Sequence, residues 1–489
     1  MNRFLFIFIA VMSFFPCELL SQESKDLKKV YDNFRQQTIK DYDNFRDRVN
    51  AEYAEFMKEA WREFHALPAI PKPKDEAVPP VVLVDEDKGK PIESKPVPIK
   101  DVVDVPQPEP QPQPIEPIYE QPLIRDRDVV FLYCGTDCKV RVCKDLTFRL
   151  NTCNSNVLAD AWTLLTDKKF DSTLRDCLEL RRKLQLSDWA YLNMLMAFAE
   201  SCVGKGNEAT FLTAFIYCQS GYKMRFGYSD EKLYLLFASK HAILGIPYFD
   251  VDGEKFYVYN GNVDKMNICS ASYPNEQSLS LYISKCQLFT YKKTSERVLT
   301  SKRYPNMSFS VNVNKNLIDF YNTYPTSTIN GDFMTRWAMY ANTPMEKEVV
   351  DKIYPDMRKR ISGLTQLEAV NKILNWVQTA FVYEYDDKVW GGDRAFFAEE
   401  TLYYPYCDCE DRSILFTRLV RDLLGLKCIL IYYPGHLASA VCFTGNVNGD
   451  YIVLDGQHFI VCDPTYIGAS VGMTMPNMDN EKASVILLD

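Results

Sequence analysis

Residues 406–413 read YCDCEDRS, and the fold turns on what this stretch begins. Asp408 has the position of a helix N-cap and Asp411, three residues on, that of the acidic side chain that reaches back to it. Leu415, Leu419, Val420, Leu423 and Leu424 then share one helical face, and Gly425 closes the helix. Four strand-like runs follow: KCILIYY from 427, LASAVCF from 437, DYIVL from 450 and QHFIVCD from 457. Asp455-Gly456 joins the last two as a hairpin turn. Upstream, Thr365 and Glu368 form a capping box that opens a helix burying Leu367, Val370, Leu374, Val377 and Phe381. The pattern predicts an α+β domain with the motif helix packed on an antiparallel sheet.

Two cysteines stand in the motif, and they are not equivalent. Cys409 occupies the first helical position, where free N–H groups and the dipole favour an anion and bring a thiol toward thiolate. Cys407 lies outside the helix and lacks that help. Glu410 and Asp411 oppose the shift, so a basic partner is required. Only His65, His241, His436 and His458 are available. His436 opens the strand LASAVCF, 27 residues after Cys409, and Asp463 ends QHFIVCD, 27 residues further on. A thiol, an imidazole and an orienting carboxylate at element ends make up the set needed for nucleophilic catalysis. One topological condition applies. In a plain up-down-up meander His436 and Asp463 would sit at opposite ends of the sheet, so QHFIVCD must run antiparallel directly beside LASAVCF with DYIVL displaced outward.

Other readings of the same residues stay open. Cys409 alone fits a core or disulfide cysteine, and Cys407 fits that reading better. A metal site would take Cys407 and Cys409 with two of Cys428, Cys442 and Cys462, but C-x-C with no second close pair is a poor zinc pattern. Asp463 before Pro464 could cap a turn, His458 reads as a strand residue, and His241 and His65 have no nucleophile nearby in sequence. No metal and no cofactor is expected.

The segments DCEDRSILFTRLVRDLLGLKCILIYYPGHLASAV and FIVCDPTY resemble the transglutaminase-like superfamily, a papain-type cysteine protease fold, as do ILNWVQTAFVYEYD and FAEETLYYPYCDCED upstream. The likeness covers about 346–470. It implies Cys409 as nucleophile, His436 as base and Asp463 as the group that orients the imidazole. It also implies an exported bacterial hydrolase or acyltransferase acting on a protein or peptide amide through a thioester. The departure is Leu437, where an aromatic residue commonly follows the histidine. For the oxyanion the Cys409 N–H is the default donor, with Trp390 or Tyr406 as further candidates. The alternative function is a non-catalytic binding or scaffold protein that keeps this fold.

The rest of the 489 residues carries this domain as one part among several. Residues 1–21 read as a signal peptide, with an uncharged run from Phe4 to Phe15 too short to span a bilayer. Phe14, Phe15 and Pro16 replace the small residues that lipid anchoring at Cys17 needs, so a periplasmic or extracellular protein with no integral membrane segment after cleavage is expected. Export permits disulfides, and Cys134, Cys138, Cys143 and Cys153 are spaced like a local staple. Over 22–66 an amphipathic helix is expected: YDNFR at 31 and 42 and YAEFM at 53 place Tyr31, Tyr42, Tyr53 and Phe64 eleven residues apart, with Phe34, Phe45 and Phe56 alongside. Through 24–66 this helix would dock on the body, a partner or a second copy. Residues 67–123 are Pro-rich and read as a tether. Residues 124–345 form a middle α+β domain, and 346–489 the catalytic one. A balance of 56 basic against 65 acidic residues, with no basic block, argues against nucleic acid as partner.

The middle domain holds one more pattern. From Glu208 it runs helix, strand, strand, then PYFDVDGEKFYVY around a DG turn, the order seen again after Cys409. It therefore reads as a degenerate copy of the catalytic fold, with Asn207 near the Cys409 position and Glu231 or Lys232 near that of His436.

Overall fold

A computed structural model describes residues 19–73, 79–83, 92–105, 110–112, 114 and 126–489 of the chain. The expected signal peptide and Cys17 lie outside the described residues, save for 19–21 at the start of the first helix. The protein is α+β, with two six-stranded sheets that are antiparallel except at one edge.

The C-terminal sheet has the order Tyr451–Leu454, Gln457–Cys462, His436–Cys442, Cys428–Tyr433, Ser484–Leu487, Asp101–Val103. Gln457–Cys462 runs antiparallel directly beside His436–Cys442, with Ser439 opposite Cys462. Tyr451–Leu454 is displaced to the edge, so the plain meander is not formed. The Asp455-Gly456 turn makes this possible: both residues have positive φ, 48° and 73°, which folds the edge strand back in a tight hairpin. Helix Cys409–Leu424 packs on the two central strands and buries Ile414, Leu415, Leu419 and Val420. Its caps are those the sequence predicts, Asp408 with Asp411 at the start and Gly425 in the left-handed region at the end. Helix Gln366–Ala380 lies against it behind the Thr365–Glu368 capping box.

The middle unit supplies four helices, Ser155–Leu165, Asp171–Lys183, Asp188–Val203 and Asn207–Gln219. Its sheet has the order Trp61–His65, Lys265–Cys269, Met224–Ser229, Lys232–Ala238, Glu254–Val258, Tyr248–Val251.

Three expectations change. The N-terminal helix is Leu19–Glu59 and does not reach 66; Trp61–His65 instead pairs antiparallel with Lys265–Cys269, so Phe64 leaves the helical stripe. Among the residues whose burial is described, from 28 on, the helix docks by its C-terminal half. Tyr53 is buried 4.6 Å from the Trp162 ring, while Phe34, Phe45 and Phe56 stay 71%, 38% and 60% exposed. The Pro-rich segment is no free tether where it is described. Asp101–Val103 is a parallel edge strand on Ser484–Leu487, Leu83 N–H donates to Ile467, and Val97 N–H donates to Tyr451. Proline cannot feed a central ladder but is tolerated along an edge, and the interspersed Val97, Val103 and Val105 bury themselves there. Finally, all fourteen described cysteines are free thiols, so the staple expected of Cys134, Cys138, Cys143 and Cys153 is not made. Cys138 instead donates to the Thr136 carbonyl and Cys153 to that of Glu231.

Candidate active site

The strand register decides the geometry. With Ser439 opposite Cys462, the start of one strand meets the end of the next, and His436 Nε2 lies 2.9 Å from Asp463 Oδ2. The carboxylate is fixed from its other oxygen as well, which accepts the Thr465 N–H at 2.8 Å and the Tyr466 N–H at 3.2 Å. Asp463 does cap a turn, then, and holds the imidazole at the same time. Gln378, from the neighbouring helix, pins that turn by donating to the carbonyls of Asp463, Tyr466 and Ala469. Tyr433 stacks on the His436 ring at 6.3 Å.

Cys409 is the first residue of its helix, and its sulfur takes a backbone hydrogen bond from Leu437, the residue after His436. Leu437 therefore has a role that any side chain could fill, since its side chain goes into the core. No hydrogen bond joins Cys409 to His436: Nδ1, the ring nitrogen turned away from Asp463, is buried without a partner. All three groups are covered, at 4%, 1% and 2% exposure for Cys409, His436 and Asp463. Burial pushes the Cys409 thiol well above its ordinary value, with the Asp408 and Glu410 charges adding to it. Desolvation and two adjacent carboxylates thus oppose the thiolate that the helix N-terminus favours.

Tyr383 is the residue that local reasoning misses. It sits on the short strand Val382–Tyr383, which pairs in parallel with Tyr406–Cys407 and so carries it to the motif. Its phenol is buried with no hydrogen-bond partner. Burial first, then the nearby Cys409 and Asp408, raise its pKa, which keeps it a neutral donor. The two oxyanion candidates lie in different surroundings. Trp390 packs edge-on against Tyr404 and Phe396 under the Arg394 guanidinium, and Tyr406 is 40% exposed. Cys407 accepts from Arg412, a fully buried guanidinium that also donates to the carbonyls of Phe381, Gln378 and Pro464.

A cation, if one binds, would meet carboxylates and not thiols. Asp386, Asp408 and Glu410 bring oxygens within 4.8 Å of one another, whereas Cys428, Cys442 and Cys462 are not gathered with Cys407 and Cys409 among the described residues. Of the other histidines, His458 stacks on Tyr451 at an exposed strand position. His241 is buried between the Ser280 and Ser327 hydroxyls at 3.4 and 3.5 Å, and burial lowers its pKa to about 4. It is a neutral core histidine.

Fold and site together define an α+β protein with a buried thiol, imidazole and carboxylate at the junction of a helix and two adjacent strands. Comparison with protein-family models, curated proteins and solved structures finds no match to the chain.

Proposed function

We propose that the protein is an exported cysteine-dependent amide hydrolase or acyltransferase of transglutaminase-like, papain-type design, with a protein or peptide substrate. The observation that carries this is the His436–Asp463 hydrogen bond at 2.9 Å, which leaves a buried, unpartnered Nδ1 in the residue next to the one that binds the Cys409 sulfur. Nδ1 takes the thiol proton as the sulfur attacks the amide carbonyl, and returns it to the leaving amine. A thioester remains on Cys409. Water attacks it to release the acid, or an amine attacks it to make a new amide. Asp463 holds the ring in the orientation that presents Nδ1 and stabilises the imidazolium. The oxyanion is met by the Cys409 N–H and, as a second donor, the Tyr383 phenol.

A second reading rests on the same burial. A covered thiol with a raised pKa and no link to His436 also suits a binding or scaffold protein that keeps the arrangement without turnover. The two part in one experiment: a peptide ending in a cysteine-directed electrophile, mapped by mass spectrometry on the mature chain. An enzyme acquires one adduct, at Cys409, lost in His436→Ala. No adduct at Cys409, or adducts spread over several thiols irrespective of His436, would sink the enzymatic reading.

A further inference from the structure

The two sheets share one strand order and, over five strands, one topology; the sixth strand is antiparallel in the middle sheet and parallel in the C-terminal one. After its leading helix each unit makes a strand, a second strand, an outer hairpin and a returning strand. Tyr248–Val251, Glu254–Val258, Lys232–Ala238, Met224–Ser229 and Lys265–Cys269 stand in the order of their C-terminal counterparts, edge to edge. The outer hairpins turn alike, with φ of 55° and 85° at Asp252-Gly253 against 48° and 73° at Asp455-Gly456. Correspondence extends to single residues. Asn207 and Cys409 each begin the helix, and Lys232 and His436 each begin the second strand. Leu233 N–H donates to Asn207 Oδ1 at 2.9 Å, as the Leu437 backbone does to the Cys409 sulfur.

At the counterpart position in the middle unit the structure is hollow. A cavity of about 280 Å³ opens there, lined among others by Glu200, Asn207, Lys232, Tyr234, Tyr259 and Asn260. Asn207 is not free for a ligand, since Nδ2 donates to the Glu231 carbonyl at 2.9 Å and Oδ1 is taken by Leu233. It ties helix to strand, and its Nδ2 also donates to the Cys153 sulfur at 3.2 Å. The groups left over are charged. Lys232 comes from the strand, its Nζ 4.9 Å over the Tyr234 ring, and Glu200 from helix Asp188–Val203, near enough to Tyr259 to bear on its phenol. Neither has an ion-pair partner among the described residues. The lining thus offers one cation and one anion to a space below the roughly 300–1,000 Å³ of ordinary ligand pockets.

We infer that this cavity is a binding site for a small zwitterion, a free dipeptide, with its carboxylate on Lys232 and its ammonium on Glu200. It is a non-catalytic site in the position that a thiol holds in the other unit. The inference does not rest on the chemistry proposed for Cys409.

The test uses the full chain carrying Cys409→Ala, so that the thiol site cannot react. Isothermal titration with alanyl-glutamine, and with its N-acetylated, C-amidated form, reads the two termini separately. One saturable site for the free dipeptide is expected, weakened about tenfold or more by Lys232→Ala and by Glu200→Gln and retained in Lys232→Arg, with no binding of the blocked form. Lys232 is exposed and Glu200 half-buried, so these variants leave the core intact. The inference is overturned if the free dipeptide does not bind, if it binds equally in Lys232→Ala, or if the blocked form binds as well as the free one.

Discussion

Cys409 carries its proton at rest. A thiol whose pKa burial has raised has little thiolate at neutral pH, and the fraction grows only as pH climbs past the ordinary 8.5 or so. Iodoacetamide labelling of Cys409 in the free protein is therefore expected to rise through the alkaline range, more slowly in His436→Ala. A plateau already reached below pH 7 would contradict the neutral resting state. On the enzymatic reading proposed above, activation comes with substrate, which brings Nδ1 and the sulfur together. Tyr383 gives a second prediction at this scale. If its phenol is an oxyanion donor, Tyr383→Phe lowers kcat by about 10²–10³ with little change in KM, measured as steady-state kinetics on a peptide amide; a change confined to KM would make it a binding residue. The positions of His436 and Asp463 were legible from the sequence because strand ends and a required register locate them. Tyr383 was not, since the parallel pairing of Val382–Tyr383 with Tyr406–Cys407 is a contact between distant segments that no local pattern announces.

Among the elements, the N-terminal helix shows how a stripe reports burial without reporting what covers it. Its attachment centres on Asn50, whose Oδ1 accepts from Trp162 Nε1 at 3.1 Å, Gln219 Nε2 at 3.0 Å and the Tyr273 hydroxyl at 3.0 Å. Removing that oxygen strands three buried donors, so Asn50→Ala is expected to cost about 2–4 kcal/mol in chemical denaturation, and Asn50→Asp, which keeps an acceptor, less. The eleven-residue period made the helix legible, but not its end at Glu59, because WREFH has a place waiting in the middle sheet and a strand there outweighs one more helical turn. A second element-level effect comes from buried carboxyls. Glu399 at the start of helix Ala398–Tyr403 accepts the Glu346 N–H at 2.6 Å, and burial raises both side chains to about 7. Their folded values lie above the unfolded value near 4.3, so the folded state binds more protons between roughly pH 4.3 and 7. Stability from this pair is present at the acid end of that window and declines as pH rises through it. Glu399→Gln should flatten the fall in melting temperature between pH 5 and 7; an unaltered slope would assign the effect elsewhere.

Across the whole molecule, two sheets alike over five strands are bound together by a strap of proline-rich chain. The α+β class and the repeated element order were legible, because period-2 runs, DG turns and capped helices are local signals. The strap was not, since its composition describes a segment that cannot fold alone and says nothing of an edge on which it can lie. Val97→Asp or Val103→Asp, each placing a charge at a buried strap position, should raise hydrogen exchange over Ser484–Leu487 while leaving Met224–Ser229 protected. Equal loss in both sheets would mean that the strap serves the whole body. The strap also sets a timetable. Asp101–Val103 leaves the ribosome well before its ladder partner, Ser484–Leu487, which lies far downstream in the chain. The middle unit can close its own sheet during translation, its strands lying between residues 61 and 269. The C-terminal sheet waits for Ser484–Leu487 before Asp101–Val103 can pair, so the unit that holds Cys409 takes shape after the middle one and is the more exposed to misfolding on the way.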